Sequence, residues 1–289
     1  MNFLKILVVL LIVFSTKVIS DMPNVYCRYE YENKVHYGEV VDNFVHELDS
    51  EPWLGGSKTG QVVKIEEVKL LHPSEPQVIL GLGGAYKNSW EGKTPLKTVR
   101  WFLKPSSAAA SPGDDIVLPK SLDEVKVETE LVIVIGKKVK DADEQTAADA
   151  IFGYTIGNDV MGNADSYHKI EGEPLDTKEN LLGPGLKIGD KFAPFGPFIY
   201  TNIEWQNRDW SLIIENSKTN KKLVHKDNTS NLVYPPAKIV SDLSKVLTLN
   251  PGDIIFSGTS KSMVAGNGDV VTVTIDGLGT ITNKIINHQ

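Results

Sequence analysis

Hydrophobic and polar positions alternate with period two over Val127–Ile135, and the β-branched content of this stretch predicts an extended strand rather than a helix. Side chains two apart then share a face. Glu128 and Glu130 lie with Val132 and Val134 on one side, and Val127, Thr129, Leu131, Ile133 and Ile135 on the other, which predicts a strand internal on both sides. A second strand is predicted over Ile151–Asp159, with Asp159 on the face of Gly153, Thr155 and Gly157, small residues that leave room for an ion or ligand. Between them a short helix is expected from Asp141 to Ile151, capped by Asp143 and favoured by Ala147, Ala148 and Ala150.

Towards the N-terminus, short strands and turns from Val35 to His72, with Gly55-Gly56 and Thr59-Gly60, predict a small β-rich unit. Pro73–Pro76 reads as a linker, Gln77–Leu82 as a buried strand ending in Gly83-Gly84, and Ala85 to about Thr98 as a flexible segment. Beyond residue 194, strands are expected at Phe195–Tyr200, Trp210–Ile214, Asp253–Phe256 and Val270–Ile275. Ile239, Leu243 and Leu247 mark one helix between Ala237 and Leu247. The fold class is α+β and β-dominated, a roll or barrel-like domain over 74–289 preceded by a small β-rich region over 21–73.

Two adjacent glutamates aimed at a core need an explanation. Their Cα atoms would sit roughly 6.6 Å apart on a strand, close enough for both carboxylates to converge on one small ion. Desolvating an unpaired carboxylate costs several kcal/mol, so the pair demands a cation or shared protonation. The competing reading is a surface ladder in which Lys126 pairs with Glu128.

Composition narrows the setting. The chain has 289 residues, 41% hydrophobic and 23% charged, as expected of an ordinary globular protein. Residues 1–20 carry Lys5, nine apolar residues from Ile6 to Phe14, and a small residue after Val18-Ile19, which predicts a secretory signal too short to span a bilayer. Without that segment 28 basic residues face 37 acidic ones, a formal charge of −9, so nucleic acid and anionic membrane are unfavourable partners. Cys27 stands alone, which excludes an internal disulfide and leaves a thiol that is free or pairs between chains. Asn228-Thr229-Ser230 is a glycan acceptor sequence, consistent with a secreted protein.

Several segments, in order and spacing, carry a resemblance to one family. They are Phe102-Leu103-Lys104-Pro105, Glu128-Thr129-Glu130-Leu131 with Ile135-Gly136-Lys137, and Gly153-Tyr154-Thr155 leading to Asn158-Asp159-Val160. Pro194-Phe195-Gly196-Pro197 and Pro251-Gly252-Asp253 followed by Gly258-Thr259 complete the set. Over about residues 37 to 286 the chain resembles the fumarylacetoacetate hydrolase family. The resemblance implies a β-roll catalytic domain, a homodimer, and Mg²⁺ or a similar divalent ion (Mn²⁺ or Ca²⁺) held by Glu128, Glu130 and Asp159. Three hard carboxylate oxygens suit such an ion, and no Cys/His cluster offers a zinc site. The implied substrate is a small 2-oxo acid or β-dicarbonyl compound that chelates the ion.

By the same resemblance Lys187, three residues before Asp190, stands beside the substrate for proton transfer or charge stabilisation, with a pKa lowered by a nearby cation and partial burial. The plainer reading is a solvated loop lysine. Gly258, Thr259 and Tyr154 are the implied substrate contacts, Thr259 through its hydroxyl and backbone N–H.

Departures from the family pattern bear on the reaction. Where its hydrolases carry a water-activating histidine and glutamate on a lid, this chain has Ser89 and Gly92, with Glu91 one position early. None of the six histidines falls there, and each reads as solvent-exposed or locally hydrogen-bonded. Asn163 and Ser166 replace an arginine and a glutamine, and Ser260-Lys261-Ser262 replaces the usual proline and glycine. Family membership implies a C–C bond hydrolase, the residues favour an oxaloacetate-type tautomerase or decarboxylase, and a protein that binds metal or ligand without catalysis is the alternative of another class.

Overall fold

The computed structural model describes residues 23–168 and 184–288, so the leader read at 1–20 lies outside the described residues. Among them no helix is long and apolar enough to cross a membrane.

The strand Thr129–Ile135 is the axis of the molecule. All seven of its residues are buried, because Ile151–Asn158 pairs along one edge and Ile254–Phe256 along the other, both antiparallel. The sheet runs on through Ile79–Gly83 to Arg100–Lys104 at one end. In the other direction Ile151–Asn158 joins Phe198–Tyr200, which joins Val25–Tyr31 and then the hairpins Lys34–Val41, Phe44–Leu48 and Lys58–Lys64. A second sheet, Lys221–Asn228, Asp209–Asn216, Val270–Ile275, Gly279–Ile286 and Ile116–Val117, packs its apolar face across the axis strand. Its inward Trp210, Leu212, Ile214, Val271, Val273 and Ile275 join Leu131 and Ile133 in one continuous core.

The small N-terminal unit is present but is not set apart by a loose linker. Val25 and Cys27 pair with Tyr200 and Phe198, so the hairpins extend the main sheet, around a satellite core of Cys27, Tyr29, Val45 and Val63. Cys27 is 1% exposed and burial pushes its thiol up to about 12, which sets it against pairing between chains. The Pro73–Pro76 segment is docked: Ser74 is buried and its hydroxyl donates to Gly252 O at 3.0 Å.

Both expected helices form, shorter than the sequence suggested, at Glu144–Ala150 and Pro236–Ser244, and they pack on each other. Asp143 caps the first by accepting from Thr146 N at 2.8 Å. Leu247 falls beyond the second, which ends at Ser244. The room foreseen over Gly153 and Gly157 is used for packing instead. A Cβ on Gly157 would meet the Phe256 ring at 2.4 Å, and one on Gly153 would meet Tyr200 O at 2.4 Å. Those glycines let Phe256 and a neighbouring backbone approach the sheet.

Candidate metal centre

The uniform strand foreseen over residues 127–135 is broken at Glu128. Glu124–Val127 belongs to a separate three-stranded sheet with Met161–Gly162 and Met263–Gly266, and the chain enters the large sheet only at Thr129. Two hydrogen bonds fix the break. Glu128 N donates to Asn158 Oδ1 at 3.1 Å, and Asp159 N donates to Glu128 O at 3.0 Å. Since Glu130 sits opposite Gly157, this register delivers Asp159, just past the strand end, to the two glutamates. One oxygen from each of Glu128, Glu130 and Asp159 lies within 4.8 Å of the others.

Charge around the trio is compensated unevenly. Asp159 is fully buried, with Oδ1 2.7 Å from Lys104 Nζ and Oδ2 paired with Lys187 Nζ. Lys104 is itself fully buried and also donates to Val160 O, Phe192 O and Lys187 O at 2.7, 2.9 and 3.1 Å. Lys187 reaches Glu128 Oε2 at 3.3 Å and rests over the Phe102 ring, 4.4 Å from its centroid. Glu130 is 1% exposed and forms no ion pair among the described residues, feeling Lys187 only at a distance. Its Oε2 accepts from Gly258 N at 2.6 Å, while Oε1 is buried with no hydrogen-bond partner. The Asn158 amide nitrogen and the Ser257 hydroxyl, next in sequence to Asp159 and Gly258, are likewise buried and unpartnered.

The proton affinities follow this arrangement. Burial lifts Glu128 to about 7 against the pull of Lys187, and burial with the charges of Asp159 and Glu128 lifts Glu130 well above the carboxylate range. Burial also works to raise Asp159, but Lys104 and Lys187 outweigh it and hold it below its usual value. Lys104 is lowered by burial despite Asp159. For Lys187 the sequence argued a value lowered by a bound cation and burial, and in the metal-free protein the balance runs the other way. Burial is outweighed by Asp159 and Glu128, so the ammonium is held more firmly than in water.

A consequence can be measured on the metal-free protein. A carboxyl whose folded pKa is raised stabilises the fold in its protonated form, so that contribution is lost as pH rises through the folded value. The melting temperature should therefore drop between pH 6.5 and 8, by on the order of 2 kcal/mol or about 5 °C, and added Mg²⁺ should restore it. His72 and His225, both lowered by burial, act in the opposite sense at the lower end of that window, because their unfolded imidazoles bind protons that the folded ones do not, and the two glutamates are expected to outweigh them. A flat or rising profile in scanning calorimetry would contradict this.

The remaining sequence-derived residues separate into near and far. Gly258, at φ +92° with Ala85 Cβ 2.6 Å from where a Cβ would stand, spends its amide on Glu130 and so orients a carboxylate. Thr259 follows on the half-exposed rim, its hydroxyl 3.5 Å from Lys261 O. Tyr154 is not brought to the trio. It lies on the other face of its strand from Gly153, Thr155 and Gly157, in a hollow with Phe152, Asn202, Ile203 and Glu204. Glu128 faces Lys187, not Lys126. Asn163 and Ser166 hold the Glu124 strand, Asn163 Nδ2 donating to Glu124 Oε2 at 3.0 Å and Ser166 Oγ accepting from Glu124 N at 3.1 Å.

The segment expected to be flexible after Ala85 is tethered. Trp210 Nε1 donates to Tyr86 Oη at 3.0 Å, Trp90 Nε1 to Gly84 O at 2.7 Å, and Asn88 Nδ2 to Ser260 O at 2.6 Å. Ser89 is exposed. Sequence reasoning missed Lys104, which it read only as part of a motif. A lysine closing the run Trp101-Phe102-Leu103 before Pro105 was the available signal.

A β-roll on which three carboxylates converge, two of them buried and one partly so, defines a candidate hard-cation site. The match to the model of the fumarylacetoacetate (FAA) hydrolase C-terminal domain covers residues 81–286, and residues 26–73 match the Rv2993c-like N-terminal model. The chain belongs to the fumarylacetoacetate hydrolase family. It is 35% identical over 240 residues to the fumarylacetoacetate hydrolase domain-containing protein 2 homolog of Dictyostelium discoideum, covering 77% of this chain and 76% of that one. It is 33% identical to the mitochondrial oxaloacetate tautomerase fahd2 of Xenopus laevis, over 78% of this chain and 70% of that one. The solved 5-carboxymethyl-2-hydroxymuconate delta-isomerase from Mycobacterium smegmatis superposes with a TM-score of 0.76 at 28% identity, over 92% of this chain and all of that one.

Proposed function

We propose that this protein is a divalent-metal-dependent enzyme that interconverts the enol and keto forms of a small 2-oxo acid, with Mg²⁺ or Mn²⁺ as the ion. The observation that carries the reading is Glu130 Oε1, a buried carboxylate oxygen without a partner, facing two further carboxylates. Three acids against two ammonium groups leave a balance of one negative charge, which a divalent ion together with one substrate carboxylate would bring to zero, and an all-oxygen donor set suits Mg²⁺ or Mn²⁺. Bound there, the ion would polarise the substrate carbonyl and stabilise negative charge on its oxygen.

The chain's own groups have separable tasks. Lys104 occupies Asp159 Oδ1, so Oδ2, paired with Lys187, is the oxygen that an ion could take over. Gly258 N fixes the rotation of the Glu130 carboxylate. Lys187 holds its ammonium between Glu128 and Asp159, where it can turn to a substrate carboxylate once an ion takes its place. The isomerase and tautomerase among the similar proteins support this reading over water-driven cleavage, as does a tethered 85–92 segment without an imidazole. From the leader read at 1–20 we further propose that the mature protein enters the secretory route, which a tagged chain recovered from the medium would support and one retained in the cytosol would refute.

The test pairs calorimetry of Mg²⁺ and Mn²⁺ binding with assays on oxaloacetate and acylpyruvates. Oxaloacetate enol should be converted only with the ion present, and Lys187→Met should lower kcat by about 10²-fold or more while the ion still binds. Cleavage of acylpyruvates at a comparable rate would make the enzyme a hydrolase. Ion binding without turnover of either would leave a binding protein.

A further inference from the structure

The loop that anchors Glu130 continues into a second group of polar side chains that the metal site does not use. Ser260 lies two residues past Gly258, within about 7 Å of it along the chain. Its hydroxyl is 3.0 Å from His225 Nε2. It also hydrogen-bonds the Asp227 carboxylate, which accepts from Asn228 N at 2.7 Å and Asn231 Nδ2 at 2.6 Å. His225 and Asp227 share the inward face of the strand Lys221–Asn228, opposite Leu212 and Trp210. The Trp210 ring stands edge-on to His225, 5.4 Å away, and its indole N–H donates to Tyr86, a buried residue that feels the charges of both Glu130 and Asp227. Asn88, from the tethered segment, closes on the Ser260 carbonyl at 2.6 Å.

We infer that Ser260 and His225 form a proton relay at the mouth of the metal centre, with the Ser260 hydroxyl presented to substrate and the imidazole acting through it. This rests on the enol–keto reading above. One hydroxyl between an imidazole and a carboxylate has two hydrogen-bond arrangements. It donates to Nε2, or it donates to Asp227 while a protonated Nε2 donates to it. Passing from the first to the second takes up one proton from outside at Oγ as the serine's own proton moves to Nε2, with no movement of heavy atoms.

The step balances within the relay. The enol O–H bond breaks and its proton passes to Ser260 Oγ, as the serine's own proton passes to His225 Nε2. The electron pair left on oxygen re-forms the carbonyl, and the C=C pair takes a proton at carbon from Ser260, which recovers one from the imidazolium. The net result is isomerisation with the relay restored. His225 is suited to begin as the acceptor because burial and Lys261 lower its pKa, with Asp227 opposing. Asp227 on its own strand, Lys261 on the loop and Tyr86 beyond Trp210 are the titratable groups around it.

The experiment uses the Mg²⁺-loaded enzyme and the enol form of oxaloacetate, with His225→Gln, Ser260→Ala, their combination, and Asp227→Asn. Wild-type kcat should show an acid limb below the ordinary histidine value of about 6.5. Either single substitution should lower kcat about tenfold or more with KM within about twofold, and remove the limb. The double variant should be no slower than the slower single, as expected of two residues acting as a unit. Asp227→Asn should move the limb to lower pH, because it removes the anion that favours the imidazolium. The relay is overturned if the limb survives in either single variant, if the two losses multiply, or if wild type does not turn over. Calorimetry separates the two readings, since intact Mg²⁺ binding and turnover with a surviving limb removes the relay alone, whereas absent Mg²⁺ binding removes the metal centre as well.

Discussion

Glu130→Gln is expected to cost the protein its divalent ion without costing it its fold. Glutamine keeps an oxygen to accept from Gly258 N, so the 2.6 Å contact that orients the side chain is retained. Its NH₂ group then replaces the unpartnered Oε1 and turns a proton donor towards the ion. Affinity for Mg²⁺ should fall by about 10²-fold or more and enol–keto turnover by about 10³-fold. The melting temperature of the metal-free variant should equal or exceed that of the metal-free parent, because a carboxyl pushed well above its usual range has been removed. Titration calorimetry and thermal scans on the same samples check both halves. Undiminished Mg²⁺ affinity would show that Glu130 is not a ligand.

Lys104→Met should do the opposite, damaging the fold more than any other single change near the site. Methionine fills a similar volume, yet it strands Asp159 Oδ1 and the carbonyls of Val160, Phe192 and Lys187 without the ammonium they share. Removing one partner of a fully buried ion pair costs about 3–5 kcal/mol. For a chain of this size that corresponds to roughly 10 °C or more of melting temperature. Mg²⁺ should recover part of the loss by supplying charge to Asp159 Oδ2, and Lys104→Arg should not rescue, because a fork-shaped guanidinium does not fit a pocket closed around one nitrogen. A melting temperature within two or three degrees of the parent would refute the argument.

How much of this was legible beforehand depends on whether the information was local. Period-two alternation found Thr129–Ile135 and Val270–Ile275, and an Asp-capped alanine run found Glu144–Ala150. The same rule passed over Lys221–Asn228, whose KKLVHKDN is polar on both faces and is a strand because Asp209–Asn216 pairs with it at every position. The acidic trio was legible because two of its members are adjacent in one pattern. The break at Glu128 was not, since it is made by Asn158 and Asp159, 30 and 31 residues on, bonding its backbone. Lys187 was found from resemblance, while its metal-free charge balance with Asp159 and Glu128 exists only once the fold brings those carboxylates to it. Tyr154 was placed with the substrate by its motif, while the parity of its strand sends it to the other face.

The seam at Phe198–Tyr200 has a consequence for how this chain can be divided. Only three residues long, that strand carries Val25–Tyr31 on one flank and Ile151–Asn158 on the other. Cutting before residue 74 would therefore uncover amides and carbonyls along an apolar margin, a template for self-association. The amino-terminal hairpins act as a selvedge that keeps the catalytic roll from fraying, and any transplant of one segment onto another relative must bring its own matching hem.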